Sequence, residues 1–204
     1  NGPCVNPLTV DQVSIFLFDS ENPTPDAGAD QNLCSVTTTT LQGSALIPPA
    51  TGLWELLQGT GTITDPSDPN STVTGLSVGV NQFSWQVFNG PCATGSGSDI
   101  VTVNVFDTGA LAANAGPDQS ICGASNPVNL GGNQPTSPAI GFWSVISGQA
   151  VISDVNDPTA SVTGLAVGAT VLEWSIDNGP CGATTDQVTI LIYDDAQATA
   201  GAGP

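Results

Sequence analysis

The chain has 204 residues with no Lys, Arg or His against 18 acidic side chains, a formal charge of -18. Nothing in it can neutralise phosphates, which excludes nucleic acid as a partner, and the same lack excludes attachment to an anionic membrane face. Apolar residues still make up 39% and include four Trp, so this is not a disordered acidic tail.

The elements follow one another with a period. Residues 1–20 begin with Asn-Gly-Pro-Cys, ending at Cys4, and continue as an alternating stretch with Val13, Ile15 and Leu17 on one face and Phe18-Asp19 at its end. This reads as the last strand, the C-terminal part, of an upstream repeat. Residues 21–26 are rich in Pro, Thr and Asp and read as a linker.

The segment 27–107 is the first full repeat. It opens with Ala-Gly-x-Asp-Gln at 27–31, then Cys34 and an early strand marked by Leu41. A mid-domain strand starts at Gly52-Leu53-Trp54, short strands follow at 62–64 and 71–74, and Phe83-x-Trp85-x-Val87 marks a long buried strand. Asn-Gly-Pro-Cys returns as a turn ending at Cys92, with Gly and Pro supplying the backbone geometry. The last strand carries Val101, Val103 and Val105 on one face and closes with Phe106-Asp107.

After a linker at 108–114, the segment 115–195 repeats every marker. These are Ala-Gly-x-Asp-Gln at 115–119, Cys122, Leu130, Trp143, the short strands at 151–153 and 160–163, and Leu172-x-Trp174-x-Ile176. Cys181 and the face Val188, Ile190, Ile192 complete the set, and Asp-x-Val-Thr/Ser begins the last strand at Asp11, Asp99 and Asp186. The three Cys of Asn-Gly-Pro-Cys are 88 and 89 residues apart, a repeat signature that governs the whole chain. Residues 196–204 form a third linker, and Ala202-Gly203-Pro204 opens the marker again. With no starting Met and no signal peptide the sequence reads as an excerpt of a longer protein. No apolar run is long enough to span a membrane as a helix.

Six or seven short strands per repeat, turns every 8–12 residues and no amphipathic helix predict an all-β fold: tandem immunoglobulin-like, Greek-key β-sandwiches in an extended array. Two cysteines per full repeat fit an oxidising, extracellular compartment. The expected pairs are Cys34 with Cys92 and Cys122 with Cys181, each worth roughly 4 kcal/mol on the chain-entropy model. The partner of Cys4 then lies outside the excerpt. Buried free thiols, or a Cys92–Cys122 staple between neighbouring domains, are the alternatives. The four tryptophans, Trp54, Trp85, Trp143 and Trp174, are the expected core.

Asp107-Thr108-Gly109 matches the aspartic-protease tripeptide, but its counterpart is Asp194-Asp195-Ala196 and it falls in a linker. Without Lys, Arg or His, most nucleophilic and acid–base schemes lack members, and no enzyme is expected. Calcium is the one cofactor to weigh. Its candidate ligands are the loop carboxylates Asp65 and Asp68, and Asp154 and Asp157. A second set lies at the linkers, Asp26, Asp30 and Asp107, or Asp118, Asp194 and Asp195. Against the loop sites stands an Asp/Pro/Asn turn in which the side chains bond nearby N–H groups. Phe16, Phe18, Phe88 and Phe106 fall off the core face or at strand ends, where they can pack across a domain junction or against a neighbouring chain.

Taken together, Ala-Gly-x-Asp-Gln-x-x-Cys, Gly-x-Trp, Asp-Pro-x-x-x-Val-Thr-Gly-Leu and Trp-x-Val/Ile-x-Asn-Gly-Pro-Cys followed by Asp-x-Val-Thr resemble the Ig-like/PKD-like repeats of giant Bacteroidetes cell-surface proteins. These include gliding-motility adhesins of the SprB type, exported by the type IX secretion system. The resemblance covers both full repeats and the opening fragment. It implies a cell-surface stalk, fibre or filament with adhesive regions elsewhere, in which each module is a structural spacer stapled against tension. The chain departs from antibody-type domains in one respect: the cysteines flank the sandwich, which puts the bridge near one end of the domain and not across its middle. The expected partners are neighbouring repeats of the same chain and homotypic fibre contacts, with no membrane insertion in this segment. Two rival functions are a carbohydrate- or protein-binding module and a self-assembling filament subunit that donates residues 1–20 as a strand.

Overall fold

The computed structural model describes residues 10–20, 24–92, 96–110, 112–123 and 127–196. Period-two alternation in the longest apolar stretches forces them into strands with one buried face, because successive side chains of a strand point to opposite sides. In the first repeat the described strands are β1 (Gln31–Cys34), β2 (Thr38–Thr40), β3 (Thr51–Gln58), β4 (Thr62–Ile63), β5 (Thr72–Thr74), β6 (Gly79–Phe88) and β7 (Gly97–Phe106). The second repeat has β8 (Gln119–Cys122), β9 (Val128–Asn129), β10 (Ile140–Ser147), β11 (Val151–Ile152), β12 (Ser161–Thr163), β13 (Gly168–Asp177) and β14 (Ala183–Tyr193).

Each repeat is two sheets face to face. The first stacks β1-β7-β6-β3 on β2-β5-β4, and the second stacks β8-β14-β13-β10 on β9-β12-β11. This immunoglobulin-like sandwich is the predicted fold. One core joins Leu41, just past β2, and Val73 of the smaller sheet to Trp54, Phe83, Trp85, Val87, Val101, Val103 and Val105 of the larger. Its counterpart joins Leu130 and Val162 to Trp143, Leu172, Trp174, Ile176, Val188, Ile190 and Ile192.

All four tryptophans are buried. Trp54 lies opposite Trp85 across β3 and β6, with ring centroids 5.0 Å apart and planes at 38°. Trp143 and Trp174 repeat this at 5.0 Å and 42°. Tilted pairs at this spacing suit the aromatic quadrupole. The rings of Trp85 and Trp174 rest on the backbone of Gly52 and Gly141, where a Cβ would run into them.

Two expectations need correction. Residues 10–19 are not in a strand, and Val13, Ile15 and Leu17 are 84%, 87% and 87% exposed. Their counterparts Val101, Val103 and Val105 are buried because the face of β7 that carries them packs on the smaller sheet, and no such sheet covers residues 10–19 among the described residues. The second correction concerns the cysteines. Cys34 precedes the early strand β2, as expected, but it also ends a further strand, β1, which runs parallel to β7 and brings Cys34 opposite Phe106. Cys92 follows β6, whose Val87 pairs with Gly97 at the other end of β7. Nine residue steps of about 3.3 Å separate the two ends, roughly 30 Å. A disulfide needs Cα atoms within about 7 Å, so Cys34 and Cys92 cannot bond. The same register keeps Cys122, opposite Tyr193, away from Cys181, which precedes Ala183 at the start of β14.

Candidate functional site: the junction between repeats

The bridge that does form joins the two repeats. Cys34 is bonded to Cys181, 147 residues away, with Cα atoms 5.1 Å apart. Cys92 and Cys122, expected to be bridged, are free thiols, and so they do not staple each other either. Cys4 lies outside the described residues. The staple sits at the end of the sandwich, as the flanking cysteines imply, but it ties one repeat to the next instead of closing either.

The rest of the junction is built from Asn-Gly-Pro-Cys. The Asn178 side-chain amide donates to the carbonyl of Asp107, the last residue of the first repeat, at 2.8 Å. Gly179 has φ +53°, and a Cβ there would lie 2.7 Å from the ring of Phe106. Only glycine combines that left-handed backbone with so close an approach. Pro180 lies in the 3-10 turn Gly179–Cys181 that follows, where its missing N–H costs little. Cys181 donates its own N–H to Asn178 O at 3.0 Å and completes the bridge.

The first junction has the same parts. Asn89 donates to the Asp19 carbonyl at 2.8 Å, Gly90 has φ +54° beneath the ring of Phe18, and Cys92 donates its N–H to Asn89 O at 3.0 Å. Phe18 and Phe106 therefore pack across junctions, whereas Phe16 and Phe88 are 69% and 55% exposed.

The linker between the repeats is held too. Ala113 N–H donates to Thr184 Oγ1 at 2.8 Å, and Asn133 Nδ2 donates to Ala112 O at 2.9 Å. The other repeated markers are reciprocal clips. Ala27 N–H donates to Asp99 Oδ2 at 2.9 Å and Thr102 N–H to Asp30 Oδ1 at 2.8 Å, so Ala-Gly-x-Asp-Gln and Asp-x-Val-Thr hold one another. Ala115 with Asp186 and Thr189 with Asp118 repeat the pair, each at 2.8 Å. The indole N–H of Trp54 donates to the carbonyls of Asp68 and Pro69, and that of Trp143 to those of Asp157 and Pro158.

The loop carboxylates are turn caps. Asp65 Oδ1 accepts from the Ser67 hydroxyl at 2.7 Å and its N–H at 2.9 Å, and Asp68 accepts from Asn70 N–H at 2.8 Å. Asp154 and Asp157 accept from the N–H groups of Asn156 and Thr159. Asp26 accepts from Gly28 N–H and Asp107 from Gly109 N–H. Asp26 cannot join Asp107 around one ion: it adjoins Ala27, which Asp99 holds near the start of β7, while Asp107 follows the end of that strand. Likewise Asp118 stands beside Thr189, within β14, while Asp194 and Asp195 follow it. Among the described residues no group of three or more His, Cys, Asp or Glu is placed to hold a metal ion.

Asp107 and Gly109, the protease-like tripeptide, form a turn whose first carbonyl is the one Asn178 grips. The Ser67 hydroxyl, and after it the Ser67 N–H, hold the exposed Asp65 carboxyl below its ordinary pKa of 3.8. Ser67→Ala is expected to raise that pKa while leaving it below 3.8, because the N–H remains; carboxyl NMR titration reads it. The sign follows from linkage: this contact stabilises the loop above the unfolded carboxylate pKa and is lost as pH falls through the lowered folded value.

No protein-family model and no curated protein matches the chain. Solved structures do. The PKD domain of human KIAA0319 is 19% identical, covering 44% of this chain and 88% of its own, with a TM-score of 0.37. An I-band fragment of titin is 14% identical over 90% of this chain and 67% of its own, at 0.40. Fibronectin(III)-like modules of CbhA from Clostridium thermocellum are 12% identical over 89% and 99%, at 0.37. The sandwich architecture itself stands on the strand order and register. No helix among the described residues is long and apolar enough to cross a membrane.

Proposed function

We propose that the chain is a load-bearing spacer in an extracellular array of like repeats, the shaft of a large cell-surface adhesin or filament. The observation that carries this reading is the Cys34–Cys181 bridge, which ties one repeat to the next at a junction whose side-chain parts occur twice in the chain. A disulfide persists in oxidising compartments, which supports a place outside the cytoplasm. The resemblance of the sequence to repeats of gliding-motility adhesins supports the cell surface.

A binding module needs a platform for its ligand. A depression of about 280 Å³ in the second repeat is lined by Gln134, Pro135, Ala139, Ile140, Gly141 and Asn156, without aromatic or charged side chains. That inventory favours a spacer over a sugar-binding face. Small-angle scattering of the oxidised 204-residue chain is expected to show one fixed, elongated particle. Cys34→Ser with Cys181→Ser should loosen it, and adding Asn178→Ala should loosen it further. Identical scattering from all three, or specific capture on a glycan array, would sink the spacer reading.

A further inference from the structure

We propose that the Cys34–Cys181 bridge is one rung of a ladder, in which the first cysteine of every repeat bonds the second cysteine of the repeat that follows. Cys92 and Cys122 are then the open half-rungs of this segment, and each takes a further repeat of the same kind. The inference rests on the array reading above and specifies how the array is joined.

Three observations carry it. First, Cys122 occupies the place of Cys34. Cys34 ends β1 opposite Phe106, and Ser35 N–H donates to the Phe106 carbonyl at 2.8 Å. Cys122 ends β8 opposite Tyr193, and Gly123 N–H donates to the Tyr193 carbonyl at 2.8 Å. Cys122 is exposed there, at the end of the second repeat where a following socket would dock.

Second, Cys92 stands in a finished socket. Asn89 and Gly90 already grip Asp19 and Phe18, as Asn178 and Gly179 grip Asp107 and Phe106. The Cys92 sulfur lies 3.8 Å from the Phe18 carbonyl. In the bonded junction the first cysteine sits opposite Phe106, so in the open one it would sit opposite Phe18, beside this sulfur.

Third, the strand that would carry that cysteine has a place to pair. Residues 10–19 present Val13, Ile15 and Leu17 more than four-fifths exposed, on the face that in β7 and β14 is covered. A sheet of a repeat of this kind is the partner whose chemistry covers them.

Such bridges overlap. Thirty residues separate Cys4 from Cys34, and thirty separate Cys92 from Cys122. A covalent route therefore runs along thirty residues, crosses a bridge and skips 147 residues, then resumes. Successive rungs belong alternately to two such routes, running side by side through the shaft.

The test extends the chain by one repeat. Pro204 corresponds to Pro117, so residues 118–195 appended after Pro204 continue the period; Cys122→Ser and Thr185→Ser in the added copy alone let its peptides be told from the original ones by mass. Non-reducing cleavage before Asp, followed by mass spectrometry, is expected to recover the Cys34–Cys181 peptide and a new one joining Cys122 to the added copy of Cys181. Recovery of Cys122 as an alkylated thiol, or bonded within its own repeat, would overturn the ladder while leaving the spacer reading intact. The same mapping on an intact natural array, independent of how the extended chain folds, should find each first-cysteine peptide bonded to the next repeat's second. Pairs within repeats there would overturn it equally.

Discussion

Pulled from its two ends, the oxidised chain is expected to lengthen only through the residues outside the Cys34–Cys181 loop. A thiol reductant is expected to release the loop of 147 residues, about 500 Å of contour at roughly 3.4 Å per residue. The reason is topological. Force entering from the N-terminal side reaches Cys34, crosses the bridge and leaves from Cys181, so most of both sandwiches lies off the loaded path. Bridges within each repeat would act differently: the chain between Cys92 and Cys122 would carry load, and each domain would unfold to its own staple. Single-molecule force–extension curves with and without reductant separate the two cases. Equal contour lengths in both conditions would show that Cys34 and Cys181 do not carry the load.

The second large effect is on the core. Trp174 is fully buried, packs on Gly141 and Trp143, and donates its indole N–H to Asn133 O at 3.2 Å. Trp174→Ala is expected to cost about 3–5 kcal/mol. A domain of this size has a total stability of only about 4–12 kcal/mol. The second repeat should therefore melt far earlier, or be unfolded at room temperature, while the first keeps its own transition, since the two cores share no residues. Calorimetry of the oxidised variant should keep the first repeat's transition at its parent temperature, with the second's moved down or absent. A single transition moved down as a whole would contradict separate cores. Gly141→Ala acts on the same contact from the other side, by driving a methyl group into the ring of Trp174, and should give a smaller shift of the same transition.

The sandwiches were legible in the sequence because their strands are long enough to show a period. β6, β7, β13 and β14 span ten or eleven residues and carry the alternation, and Trp85 and Trp174 fall on the buried faces of β6 and β13. The strands β1 and β8 were not legible. Each has four residues and one large apolar side chain, Leu33 or Ile121, too few to establish alternation. That omission hid the direction of the bridge. Once β1 is known to run parallel to β7, Cys34 must stand at the far end of the repeat, and proximity in sequence to Cys92 means nothing. Four cysteines admit three pairings, and spacing alone does not choose among them. The clips between Asp99 and Ala27 or Asp30 and Thr102 were visible only as recurring motifs, because a hydrogen bond across 72 residues leaves no local trace. The acidic loops were half legible: their turn chemistry was foreseen beside a calcium reading, and the carboxylates are engaged in capping turns.

The connectivity of the bridge also changes what a broken backbone means. Hydrolysis of any one peptide bond between Cys34 and Cys181 would leave both fragments tied through sulfur, so a nicked molecule remains one covalent object. A chain without Lys or Arg already withholds the side chains that trypsin-like enzymes recognise. The junction disulfide adds a second defence of another kind, in which a single cut between its two cysteines does not sever the chain.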